Sequence, residues 1–263
     1  MNENDMQNEQ IKQLLRQYMG GLLEERQEAI ERMQALGARE DDDALQTLLT
    51  YLKQSESPLL RPLAASRLAE IGDARVLAQL LALLKSPQED LRALVVQILG
   101  EIGDPSVRET LEAMLQVDPD REVRVRIAVA LGKLGDKRAV GTLSEAMQRD
   151  QDMKVRQHAI EALGLLGDTA LIPTLVTILE QDDDKETRTF AAEALGRMGD
   201  DRALAPLVAT LHNMDYPPIV RYYAAHGLGL LGHPGAIPAL QRATQDGHSW
   251  VAQMATDALA KLT

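Results

Sequence analysis

The sequence predicts an all-α solenoid of antiparallel helical hairpins, about seven of them, and three observations carry that prediction. A Leu-Gly-x-x-Gly-Asp segment recurs from Leu99 to Asp104, Leu131 to Asp136, Leu163 to Asp168 and Leu195 to Asp200. Its second glycine, with weaker copies at Gly72 and Gly232, stands at 72, 103, 135, 167, 199 and 232, a near-constant step that marks an internal repeat. Aromatic residues make up only 3% of the chain while alanine and leucine abound, which favours close-packed helices over pleated sheets.

Each element follows from its residues. Eleven positions before every one of those glycines stands an arginine: Arg61, Arg92, Arg124, Arg156, Arg188 and Arg221. From arginine to glycine the apolar residues recur at i, i+4 and i+7, one face of a helix, here called A. The glycine suits the left-handed position that ends it. The next residue, Asp73, Asp104, Asp136, Asp168 or Asp200, folds its carboxylate onto nearby backbone N–H groups and opens a turn. A second helix, B, follows, anchored by a leucine eight positions after the glycine: Leu80, Leu111, Leu143, Leu175, Leu207 and Leu240. Pro173, Pro206 and Pro238 must then lie in the first turn of B, because proline deeper in a helix removes a hydrogen bond and clashes with the preceding turn. Two such helices bury too little surface to stand alone, so the units must stack, the first glycine of each Leu-Gly and alanine pairs such as Ala191-Ala192 letting backbones approach.

The ends depart from the pattern, as capping units do. Residues 1–21 read as a polar tail and a capping helix carried by Ile11, Leu14, Leu15 and Tyr18, and residues 22–263 as the solenoid. Its first unit is atypical. Arg26, Ala29, Ile30, Met33, Leu36 and Gly37 fit helix A, and an insertion around Arg39–Asp43 precedes helix B at Ala44–Leu52. Val251, Ala255, Leu259 and Leu262 fit a last helix A.

Charge and composition exclude several functions. A net charge of −12 opposes a nonspecific grip on nucleic acid or anionic lipid. With no cysteine there is no disulfide framework, thiolate zinc site or cysteine nucleophile. No apolar run is long enough to span a membrane, and Met1–Gln10 lacks the apolar core of a signal peptide, so a cytoplasmic protein is expected.

These motifs resemble the HEAT repeat superfamily, in particular the short-repeat subclass named after phycobilisome lyases, whose units read much like Val-Arg-x-x-Ala-Ala-x-Ala-Leu-Gly-x-Leu-Gly-Asp. The resemblance runs over roughly residues 22–263 and implies helix B on the concave side. The superfamily includes deoxyhypusine hydroxylases, which carry His-Glu iron ligands directly after the helix A arginine. Here those positions read Pro62-Leu63, Ala93-Leu94, Val125-Arg126, Gln157-His158, Thr189-Phe190 and Tyr222-Tyr223, and no His-Glu pair occurs. The resemblance therefore implies no iron site. DNA-glycosylase relatives hold phosphates on a basic face, which the acidic charge disfavours.

The remaining candidates are uneven in position. Four of the five histidines, His212, His226, His233 and His248, fall late in the chain with Tyr216, Tyr222, Tyr223 and Trp250. Tyr216, Tyr222, Tyr223, His226 and Trp250 are the candidate partner-binding residues, since rigid amphipathic rings dominate binding surfaces. Packing in a terminal interface explains the same cluster. His158, Phe190 and Tyr223 share one register position and should line up. The histidines lack metal-ligand spacing, Asp41–Asp43 and Asp182–Asp184 lack a calcium-loop pattern, and Ser144 and Ser249 lack a nucleophile motif. No catalytic residue, metal or cofactor is assigned. The arginine row and the Gly-Asp row are expected to form ladders of hydrogen bonds between neighbouring repeats, tying helix starts to turns. The function expected is a non-enzymatic scaffold that binds a protein partner, with neither nucleic acid nor membrane involved. The resemblance supplies the alternative, a phycobilin lyase-type or phycobiliprotein-associated protein handling a bilin.

Overall fold

The computed structural model describes residues 42–54 and 60–262. The expected tail and capping helix of residues 1–21, and helix A of the first unit, lie outside these residues. All regular structure among the described residues is helical, in fourteen α-helices and five short 3-10 turns, so the fold is an all-α solenoid. The chain divides into two compact units, Met1–Val107 and Arg108–Thr263.

In the first unit α1 (Asp42–Gln54) is the expected helix B of the atypical repeat, and α2 (Leu60–Ile71), α3 (Ala74–Leu83) and α4 (Glu89–Ile102) continue the alternation. α1 packs on α2, α2 on α4 and α3 on α4. Leu49, Leu52, Leu68, Leu80, Ile98 and Leu99 fill the core. Asp73 starts α3 by accepting the N–H of Val76 at 2.9 Å.

The second unit comprises α5 (Arg108–Val117), α6 (Arg121–Leu134), α7 (Val140–Arg149), α8 (Met153–Leu166), α9 (Ile172–Gln181), α10 (Lys185–Met198), α11 (Leu204–His212), α12 (Pro218–Leu231), α13 (Ile237–Ala243) and α14 (Ser249–Ala260). The even-numbered helices are the A row and stack in chain order, α6 on α8 on α10 on α12 on α14. The anchor leucines Leu111, Leu143, Leu175, Leu207 and Leu240 of the B helices are fully buried. Pro173, Pro206 and Pro238 all fall in the first turn of their B helices, where a missing N–H costs nothing.

Glycine does two separate jobs. Gly135 ends α6 with φ +68°, a conformation that a side chain disfavours. Gly196 lies where a Cβ would stand 2.3 Å from the Gly227 carbonyl oxygen, so α10 and α12 meet backbone to backbone only because both positions lack side chains.

The pairing of A with B helices differs from the unit read off the sequence. A B helix packs closely on the A helix that follows it, α7 on α8, α9 on α10, α11 on α12 and α13 on α14. The B-to-A connection is a short turn that folds the chain straight back, whereas the A-to-B connection spends a glycine, an aspartate and a 3-10 turn on changing direction.

Candidate functional site

The arginine row and the Gly-Asp row do not pair with each other. The Gly-Asp residues are local caps of the 3-10 turns: Asp104 accepts the N–H of Ser106, Asp136 that of Arg138, Asp168 that of Ala170 and Asp200 that of Arg202, at 2.8–3.1 Å. In the last repeat His233 takes this role, its Nδ1 accepting the Gly235 N–H at 2.9 Å. Arg138 and Arg202 fold back onto the same carboxylates, and their hydrogen bonds hold Asp136 and Asp200 down to about 2.

The arginines turn instead toward the loop that precedes their own helix. Arg92 donates to the Ser86 carbonyl, Arg124 to that of Asp118, Arg156 to that of Asp150 and Arg188 to that of Asp182. Arg221 donates to the Tyr216 carbonyl at 2.7 Å, and the Nε of Arg61 is buried without a hydrogen-bond partner. Two of the row also reach the following repeat. Arg124 grips Asp150 with two hydrogen bonds of 2.8 and 3.0 Å, and Arg221 grips Asp246 with two of 3.1 Å. The Gly-Asp row touches a neighbouring repeat at Asp136, whose carboxylate lies 3.1 Å from Arg108 Nε, whereas the links of the arginine row run through a third row of residues.

That row stands in the B-to-A loops and was missed in the sequence. Asp118, Asp150 and Asp182 each accept the N–H two residues on, and those residues, Asp120, Asp152 and Asp184, then cap α6, α8 and α10. Ser86, Asn213 and Asp246 make the same turn in the other repeats. The signal was available: from Ser86 to Asp182 the turn-forming residue lies six positions before the arginine. Asp182–Asp184 is thus a turn followed by a cap. Burial works against the Asp246 carboxylate, but the bonds from Arg221 and the His248 N–H leave it below the ordinary aspartate range.

One link between repeats uses an amide in place of an arginine. Gln157, fully buried on α8, donates through Nε2 to Asp184 at 3.0 Å and Thr187 at 3.2 Å, the first turn of α10.

Of the five candidate partner-binding residues the structure brings four together. Tyr222, Tyr223 and His226 stand on α12, and Trp250 opens α14. Ring centroids lie 5.3 Å apart for Tyr222 and Tyr223, 5.6 Å for Tyr222 and Trp250, and 6.2 Å for Tyr223 and His226. His248 meets the Trp250 edge at 6.1 Å. The indole is 41% exposed, and both tyrosines are half-buried. Burial pushes the Tyr223 phenol up and the His226 imidazole down, and His226 keeps a buried Nδ1 without a partner. All four belong to the A row, not the B row that the resemblance implied would line the concave side.

Tyr216 sits apart from them. Its loop, residues 213–217, is two residues longer than the loops before α6, α8 and α10, and its hydroxyl donates to the Glu180 carbonyl at 3.2 Å while the Arg188 guanidinium lies 4.7 Å from its ring centroid. It fastens this loop to the preceding repeat. His158 and Phe190 make an edge contact at 5.6 Å, and Tyr223 contacts Tyr222 and His226 instead, so the expected line of rings falls into two groups.

Two further features complete the surface. A polar groove of about 490 Å³ lies between α5 and α7, lined by Leu115, Gln116, Thr142, Glu145, Ala146, Arg149 and Asp150. Among the described residues no helix is long and apolar enough to cross a membrane, and no three His, Asp or Glu side chains come together as a metal site.

Comparison with known proteins bears on the fold. The sequence model for HEAT repeats matches residues 23–93, 77–157, 142–217 and 206–263. No curated protein matches in sequence. Among solved structures, Escherichia coli YibA is 20% identical with a TM-score of 0.57, covering 100% of this chain and 97% of its own. The complex of CpcE and CpcF of phycocyanin lyase from Nostoc is 20% identical with a TM-score of 0.48, covering 96% and 94%. Human deoxyhypusine hydroxylase in complex with glycerol is 24% identical with a TM-score of 0.43, covering 98% and 97%. The likeness to YibA is one of fold alone.

Proposed function

This chain belongs to the HEAT repeat family, and we propose that it works as a non-enzymatic scaffold holding a protein partner. The observation that carries the reading is the ring cluster on α12 and α14, with Trp250 41% exposed beside the half-buried Tyr222 and Tyr223. Rigid, half-exposed aromatic side chains bury a large area for little loss of rotamer freedom, which is why they anchor protein interfaces. The repeating groups support the same reading. The arginines, aspartates and caps recur in register and are engaged with their own loops, so they build the fold and leave the non-repeating residues to select a partner.

The test is capture of partners by the tagged chain from its native lysate, alongside a Tyr222→Ala/Tyr223→Ala variant. The result expected is one stoichiometric protein retained by the parent and lost from the variant, with circular dichroism unchanged. Equal capture by both, or loss of helicity in the variant with unchanged capture, would overturn the assignment of this surface.

A further inference from the structure

We propose that Asp246 is a modification site, a latent point of isoaspartate formation that Arg221 holds as an ordinary aspartate and that converts when the loop before α14 opens. Asp246-Gly247 is the only Asp-Gly pair in the chain. Glycine leaves its main-chain nitrogen unshielded, so that nitrogen can close a ring onto the preceding carboxyl. The counterpart aspartates of the second unit are poorly placed for the same reaction. Asp118 precedes Pro119, whose nitrogen carries no proton, while Asp150 and Asp182 precede Gln151 and Asp183, whose side chains hinder ring closure. Nothing in the fold requires this glycine: Gly247 is exposed, its φ is not positive, and its Cβ position has nothing within 4 Å.

What the fold supplies is a clamp on the reacting carboxyl. Arg221 donates from Nε to Oδ2 and from Nη2 to Oδ1, both at 3.1 Å, and the His248 N–H donates to Oδ1 at 2.9 Å. The Asp246 side chain is 5% exposed and that of Arg221 2%. Ring closure needs the neutral acid, because a carboxylate has no hydroxyl to lose. Burial pushes this carboxyl up, but a group that accepts two bonds from a guanidinium and one from the backbone stays ionised, below the ordinary aspartate range. The same three bonds fix its orientation. Local opening of the loop removes both restraints together.

Once the loop is open and solvent protonates the carboxyl, the Gly247 nitrogen bonds to Asp246 Cγ, and its proton leaves with the carboxyl hydroxyl as water. Water then adds to the resulting succinimide. Cleavage of the bond from nitrogen to Cγ restores aspartate, whereas cleavage of the bond to the main-chain carbonyl carbon leaves the chain running through Cγ, which is isoaspartate. The loop is then one carbon longer, and its carboxylate sits directly on Cα, out of the clamp. Arg221 stays buried without its anion, which is costly. With that pair gone, α14 loses a tie to α12 that keeps Trp250 beside Tyr222.

The test is to age the full chain, warm and at neutral pH, beside a synthetic peptide of residues 242–251. Isoaspartate is counted by labelled methyl transfer with an isoaspartyl methyltransferase and assigned to Asp246 by peptide mapping. The result expected is that the chain forms it slower than the peptide by about tenfold or more, because only the open fraction reacts. Gly247→Ala should fold as the parent does and form almost none. Arg221→Gln, and Arg221→Lys, which keeps a cation, should form it faster than the parent by about threefold or more while circular dichroism stays helical. Trp250, the single tryptophan, should move its emission to the red as the parent ages and hold it in Gly247→Ala. Equal rates in chain and peptide would overturn the protection, even if neither arginine variant folds. A parent-like rate in a folded arginine variant would overturn the role of Arg221. Isoaspartate that accumulates with unchanged emission would overturn the release of α14.

Discussion

The repeats from α6 to α10 and the pair α12–α14 solve one structural problem with different chemistry. In the former, each A helix is entered through an Asp-x-Asp turn, and the row arginine lies over that turn. Arg124 adds a carboxylate from the next loop, with both side chains close to fully buried. At the following junction Asn213 stands where an aspartate would, the loop is two residues longer, and Arg188 meets the face of Tyr216 instead. At the last junction the carboxylate returns as Asp246 beneath Arg221. The arginine is thus the constant, and what it meets is free to change. A guanidinium can donate to a carbonyl or a carboxylate or lie over a ring face, which lets the loop vary without loss of the stack.

The sharpest way to break this comparison is to remove the arginine on each side of it. Arg124→Ala leaves the Asp150 carboxylate buried without its cation and should cost about 3–5 kcal/mol. Arg188→Ala loses one hydrogen bond to a carbonyl and a ring contact and should cost about 1–2 kcal/mol. Thermal or urea unfolding of the two variants measures the difference, and equal losses would refute the distinction between the two junctions.

Backbone approach comes next in size. Gly196→Ala places a methyl within 3 Å of the Gly227 backbone and should destabilise by about 1–3 kcal/mol. Gly141, in the first turn of α7, has nothing within 4 Å of its Cβ position, so Gly141→Ala should stabilise by about 0.5 kcal/mol. Opposite shifts in melting temperature check both at once. Loss of the α6 cap in Asp120→Ala should cost about 1 kcal/mol, read by urea titration.

The smallest effect is on pH dependence. Asp136 and Asp200 titrate near 2 in the folded protein, below their unfolded values. Their contribution is therefore complete above the unfolded aspartate range near 4 and is lost as pH falls toward 2. Asp200→Asn should flatten the loss of stability across that window, measured as melting temperature against pH. An unchanged slope would show that the exposed pair with Arg202 contributes nothing.

The repeat, both helices of each unit, the left-handed glycines and the prolines of the B helices were legible in the amino-acid order, because each depends on a few neighbouring residues. The cap at each Gly-Asp was legible for the same reason. Its pairing with the arginines was not, because pairing depends on which loop lies against which helix. Asp118, Asp150 and Asp182 carried a visible spacing, but nothing local distinguishes a turn aspartate that meets an arginine from one that faces water. Tyr216 shows the limit from the other side. It clusters with Tyr222 and Tyr223 in sequence, yet an inserted loop carries it back to Glu180 and Arg188.

Sequence by itself thus determined the helices, their ends and the need to stack, since short-range sterics, capping and the position of apolar side chains act within a turn or two of the chain. Tertiary structure alone decided the partners across repeats: Arg124 with Asp150, Gln157 with Thr187, Tyr222 with Trp250. Those contacts join residues from about 25 to 30 positions apart. Their selection depends on how closely two backbones approach, which at α10 and α12 rests on a pair of glycines meeting face to face.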